Sequence, residues 1–284
     1  MSNNQTENVK SLTYRTVDGK DLFISFLPPL NKVYDKSPVF LLIPGGGWHT
    51  ADQVGMLEFM RASVRKLREN GFLAASISYR TIDEGYKLHE IIEDCFFALK
   101  YLCDNSDLLN IDIKRIIVSG HSAGGHLALM LAYAGSNVFN VDIAKDYRII
   151  GVAALSPITV LHNYKYEYSD LAKIDTYPLF NDKSEASPER RMTSPINYIN
   201  EKTPPTILFA GTADTLVKCN SSVVLHEELN EYGVSSKLVL SKGGGHCFEK
   251  VNDNDNVSVS FDKVQELTAE FAMGVLTDSN KVFD

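Results

Sequence analysis

The stretch Ile116-Ile-Val-Ser-Gly-His-Ser-Ala-Gly-Gly-His-Leu-Ala128 constrains this chain more than any other. Residues 116–119 read as a short buried strand. Residues 120–124 form a G-x-S-x-G pentapeptide, and 125–134 are rich in Leu, Ala and Met, contain no proline and read as a helix. The pentapeptide alone is common; strand, sharp turn and helix together make it a nucleophile elbow. So tight a turn leaves no room for side chains flanking the serine, and glycine brings no Cβ to collide. Such a turn lifts Ser122 Oγ above the sheet. It also aims the amide of Ala123, at the positive end of the helix, toward the place where an oxyanion would form.

The rest of the chain supplies a frame for that elbow. Residues 12–17 and 22–27 flank Asp18-Gly19, a hairpin signal. Residues 39–43 are wholly apolar, as expected of a strand covered on both faces, and run into Pro44-Gly-Gly-Gly-Trp48. Further strands are expected at 72–78, 149–155, 206–210 and 237–240. Apolar spacing predicts helices over 56–70, 88–102, 217–232 and 258–275. Alternating strands and helices imply an α/β fold with a mostly parallel central sheet and helices on both faces. Residues 158–200 break the rhythm with three prolines, several tyrosines (Tyr164, Tyr166, Tyr168 and Tyr177 among them) and many charges. They read as a lid or cap-like insertion in a single domain spanning 1–284.

Composition narrows the partners. The 284 residues carry a net charge of −8, which argues against nucleic acid and anionic membranes. Residues 1–10 are polar and no apolar run is long enough to span a bilayer, so the expected location is cytoplasmic. The four cysteines, Cys95, Cys103, Cys219 and Cys247, form no C-x-x-C pair and are expected to be buried thiols. The histidines and cysteines offer no zinc spacing, so no metal is expected, and hydrolysis by a serine nucleophile calls for no cofactor. The oligomeric state, a homo-oligomer included, is left open.

In a parallel sheet, function collects at the carboxyl ends of the strands. There the sequence places Gly45-Gly46-Gly47, Ser122, Asp214 and, beyond the last strand, His246. A serine hydroxyl is a weak nucleophile, so a neutral imidazole must take its proton. The imidazole in turn needs a carboxylate to fix its tautomer. Of the acids considered (Asp142, Asp175, Asp182 and Asp214), only Asp214 follows a strand directly through a glycine turn; a helix-capping role is its alternative. Of the seven histidines, only His246 lies in a glycine-rich loop after the last strand. His126 reads as a packing residue on the elbow helix, and His49 and His121 as supporting groups.

With Pro44-Gly-Gly-Gly-Trp48, Gly120-His-Ser-Ala-Gly-Gly125, Gly211-Thr-Ala-Asp214 and His246, the chain resembles the α/β-hydrolase superfamily from about residue 39 onward. It resembles most its esterase branch of hormone-sensitive-lipase-like enzymes, acetyl-xylan and feruloyl esterases, and kynurenine formamidases. Pro44 stands where many relatives have histidine, a variant similar to the carbohydrate-esterase group. The resemblance implies the α/β-hydrolase fold, a Ser122–His246–Asp214 triad and oxyanion donors from Gly46 or Gly47 with Ala123. The implied activity is a serine carboxylesterase for small esters, acetylated oligosaccharides or related plant-derived esters among them. An arylformamidase with the same triad, or an inactive ligand-binding homologue, is the alternative. Trp48, next to the oxyanion glycines, is expected to wall the acyl side of the site and favour short acyl groups; a ring packed into the core, away from the substrate, is its alternative.

Overall fold

A single eight-stranded sheet carries every strand that the apolar runs predict, in the order β1-β2-β4-β3-β5-β6-β7-β8. The computed structural model describes residues 9–163, 172, 175–184, 187–252, 256–277 and 283. Strands β1 (Lys10–Val17) and β2 (Lys20–Leu27) form the antiparallel hairpin, turned by Asp18 and Gly19 with φ of 50° and 79°. β2 pairs antiparallel with β4 (Leu73–Ile77). From there β3 (Ser37–Ile43), β5 (Ile111–His121), β6 (Ile149–Leu155), β7 (Thr206–Gly211) and β8 (Ser236–Ser241) are parallel, so their carboxyl ends share one edge.

Side-chain alternation along β3 explains its unbroken apolar run. Val39, Leu41 and Ile43 enter one core, while Phe40 and Leu42 enter the other, and all five are fully buried. On the first face lie α3 (Leu88–Asp104), α4 (Ala123–Tyr133) and α6 (Asn220–Glu231). On the second lie α1 (Gln53–Phe59), α2 (Arg61–Glu69) and α7 (Phe261–Thr277). The helix expected over 56–70 is therefore two helices. The break falls at Met60, whose φ of −95° and ψ of 24° leave helical geometry while its side chain stays buried.

The described part of 158–200 packs into the core beside α4. Ile158, Val160, Leu161, Phe180 and Ile196 are buried there. The short helix α5 (Pro188–Met192) carries Arg190, whose Nη1 donates to Leu161 O at 3.1 Å and Thr176 Oγ1 at 2.9 Å. Tyr164, Tyr166 and Tyr168, with the side chain of Tyr177, lie outside the described residues. The cysteines depart in part from expectation: Cys95 and Cys103 are buried, but Cys219 is half-buried and Cys247 exposed. Cys219 immediately precedes α6, and Cys247 lies in the loop after β8. No described helix is long and apolar enough to cross a membrane.

Candidate active site

The elbow is built from close approaches that only glycine permits. A Cβ on Gly120 would stand 2.2 Å from Gly124 O, and one on Gly124 would stand 2.1 Å from Ile43 O. Ser122 between them has φ 57° and ψ −121°, a region that side chains rarely adopt and that costs on the order of 1–3 kcal/mol. Its amide is tied to Leu155 O at 2.8 Å and its carbonyl accepts from His126 N at 3.0 Å, which holds the strained turn. Ala123 opens α4 directly behind it. First-turn amides of a helix have no intrahelical acceptor and point outward from its N-terminus.

The glycine run lies against the same turn. A Cβ on Gly45 would meet His121 O at 2.6 Å, so the loop begins in contact with the residue before Ser122. Gly46 and Gly47 have φ of 112° and 63°, and His49 N donates to Gly46 O at 3.0 Å. Tyr79 closes the loop from below: its hydroxyl reaches Pro44 O at 2.7 Å and Thr50 O at 3.1 Å. These partners lie far from Tyr79 in sequence, so no local pattern marks it.

Asp214 and His246 form one unit. His246 Nδ1 is 2.6 Å from Asp214 Oδ2, and the aspartate side chain is 1% exposed while the imidazole keeps 16%. The other carboxylate oxygen, Oδ1, accepts from Leu216 N at 2.8 Å and Val217 N at 3.0 Å. Its two oxygens thus meet different partners, one the imidazole and one the turn amides, and the capped turn precedes α6 rather than starting it.

Three contacts carry the His246 loop to the elbow. His246 O receives His121 Nε2 at 2.9 Å and Ser156 Oγ at 3.0 Å. The His121 and His246 rings lie 4.7 Å apart. Gly211 allows the loop to close, since a Cβ there would lie 2.3 Å from both Gly244 O and Gly245 O. His121 is pushed down to about 4, first by burial and then by the neighbouring His246. It therefore stays neutral near pH 7. Ser156, with φ 43° at the end of β6, carried no motif that would have drawn attention to it.

Trp48 corrects an expectation. Its indole does not line the acyl side of the site, for the residue has no accessible surface and belongs to the core. At φ 64° the backbone turns the side chain inward, edge-on to His126 with ring centroids 5.4 Å apart. His126 packs as expected, its Nε2 donating to Thr193 O at 2.7 Å, and burial pushes its pKa down to about 4. Among the described residues, no group of three or more His, Cys, Asp or Glu side chains could hold a metal ion.

Comparison with known proteins follows this geometry. The BD-FAE family model matches residues 26–229. The chain is 25% identical over 220 residues to an isoprenylcysteine alpha-carbonyl methylesterase of Arabidopsis thaliana, covering 74% of this chain and 50% of that protein. It is 23% identical over 228 residues to an esterase of Gibberella moniliformis, covering 74% and 67%. The chain thus spans about half to two thirds of the length of these curated relatives. Among solved structures, the native form of an esterase from Thermogutta terrifontis superposes with a TM-score of 0.75 at 24% identity, covering 94% and 92% of the two chains. Its butyrate-bound form gives 0.76 at 23% identity, covering 94% of each. The sheet, its helices and their order are those of the α/β-hydrolase fold.

Proposed function

The chain belongs to the BD-FAE family, and from that premise we propose that it is a serine carboxylesterase acting on small, short-acyl esters. The observation that carries this reading is the pairing of His246 with buried Asp214 on a loop bonded to the strained elbow of Ser122. Ser122 Oγ attacks the ester carbonyl while His246 Nε2 takes its proton. Asp214 holds the Nδ1–H and stabilises the imidazolium that forms. The amides of Gly46 or Gly47 and of Ala123 receive the oxyanion. As the C–O bond breaks, His246 returns the proton to the leaving alkoxide. Water, deprotonated by His246, then attacks the acyl-enzyme and frees the acid and Ser122.

The relatives named above are called esterases or methylesterases, and one structural neighbour holds butyrate, which support the ester and the small acyl group. The acyl preference no longer rests on Trp48, which is buried. The cap-like role of 158–200 and a cytoplasmic location remain part of this proposal.

The test is a p-nitrophenyl ester series from acetate to octanoate, run beside acetylated xylo-oligosaccharides and N-formylkynurenine. Highest kcat/KM on acetate to butyrate supports the reading. An optimum at six carbons or beyond rejects the short-acyl class, and turnover of N-formylkynurenine alone transfers the site to the formamidases.

A further inference from the structure

Resting on the triad reading above, we infer that His121 is a positioning residue for the base, clamping the backbone carbonyl of His246 from the residue adjacent to the nucleophile. A carbonyl oxygen only accepts, so the 2.9 Å contact between His121 Nε2 and His246 O fixes a proton on Nε2. The clamp has a second jaw. Ser156 Oγ donates to the same carbonyl at 3.0 Å. The two donors come from neighbouring strand ends, because His121 pairs with Leu155 across β5 and β6.

With both jaws closed, His246 is held at two places: its carbonyl by His121 and Ser156, and its Nδ1 by Asp214 at 2.6 Å. Among the described residues, nothing engages the imidazole Nε2, the atom that must meet Ser122. Nucleophile and clamp are consecutive residues, so one peptide unit and one hydrogen bond set the spacing between Ser122 and the base loop. The clamping ring is itself seated. Phe59 packs on it at 5.3 Å, and Phe261 backs Phe59 at 4.5 Å. The charged and titratable groups that face the ring are His246, Asp214, Glu249 and Cys247, the last with Sγ 3.9 Å from Nε2. Burial keeps the ring neutral, so the donor tautomer persists through the range in which an esterase base works.

The test compares His121→Phe, which keeps a ring against Phe59 but removes the donor, with His121→Gln, which returns an N–H at similar reach. Turnover of p-nitrophenyl acetate is read together with amide exchange in the 243–249 loop, where Gly245 and Phe248 donate backbone hydrogen bonds. The clamp predicts that His121→Phe lowers kcat about 10- to 100-fold with KM within about twofold, since displacement of a catalytic group by roughly 1 Å costs that much. It also predicts faster exchange in the loop, and that His121→Gln recovers most of both. Faster loop exchange in a protein whose wild type turns over no ester would uphold the clamp and remove the esterase reading. Wild-type kcat and loop protection in His121→Phe, or equal impairment in the Phe and Gln variants, would overturn the clamp.

Discussion

Asp214 divides its carboxylate between two tasks: Oδ2 holds His246 Nδ1 at 2.6 Å, and Oδ1 closes the turn through the amides of Leu216 and Val217. In the proposed triad the acid is thereby locked by its own loop, and nearly all its surface is removed from water.

That division separates two variants. Asp214→Asn keeps an oxygen for the turn but presents an amide N–H to His246, which forces the wrong tautomer. Its kcat should fall on the order of 10³- to 10⁴-fold while its melting temperature stays near that of the wild type. Asp214→Ala loses the turn acceptor as well and should fall in both. Steady-state kinetics and thermal melts on the same preparations check this.

The histidines sort by role. His246→Ala should be as damaging to kcat as the loss of Ser122, because both act in one proton transfer. His126→Ala should lower stability, since it empties a buried site between Trp48 and Thr193, yet leave far more turnover per folded molecule. Abolished activity in His126→Ala with activity kept in His246→Ala would reverse the assignment of the base.

Trp48 gives the opposite of its sequence expectation. A fully buried indole cannot select acyl groups by contact, so Trp48→Ala should leave the acetate-to-octanoate ratio unchanged. It should cost about 3–5 kcal/mol of stability as a core cavity. Urea unfolding and the ester series measure the two effects.

Acid should weaken the fold. Burial holds both His121 and His126 down to about 4, while an unfolded histidine titrates near 6.5. Between those values the unfolded chain binds protons that the folded chain refuses. Their contribution is therefore full above about 6.5 and lost as pH falls through about 4. At pH 5 each should subtract on the order of 2 kcal/mol, lowering the urea midpoint from its value at pH 7.5. Equal midpoints would contradict it.

Much of this architecture is legible in the sequence because each buried parallel strand, such as Val39 to Ile43, writes both its faces as apolar residues. The elbow is legible because Gly120 and Gly124 each meet backbone where a Cβ would stand. What escaped detection depends on backbone angles and distant carbonyls. Nothing local says that Trp48 adopts φ 64° and turns inward, or that the helix over 56–70 breaks at Met60. The N-terminal half of β5 carries no apolar run, because Asp112, Lys114 and Arg115 are polar and its pairing is made by backbone. Tyr79 and Ser156 are recognisable only by acceptors contributed 35, 29 and 90 residues away.

The central claim is that Ser122 is the nucleophile, and intact-protein mass spectrometry after a fluorophosphonate tests it most directly. The wild type should gain one adduct, mapped to Ser122, as hydrolysis of p-nitrophenyl acetate is lost in proportion. Ser122→Ala should remain folded, take no adduct and turn over 10⁴- to 10⁶-fold more slowly, to order of magnitude. A folded Ser122→Ala protein with near-normal turnover, or an adduct on another residue that accompanies the loss of activity, would contradict the account.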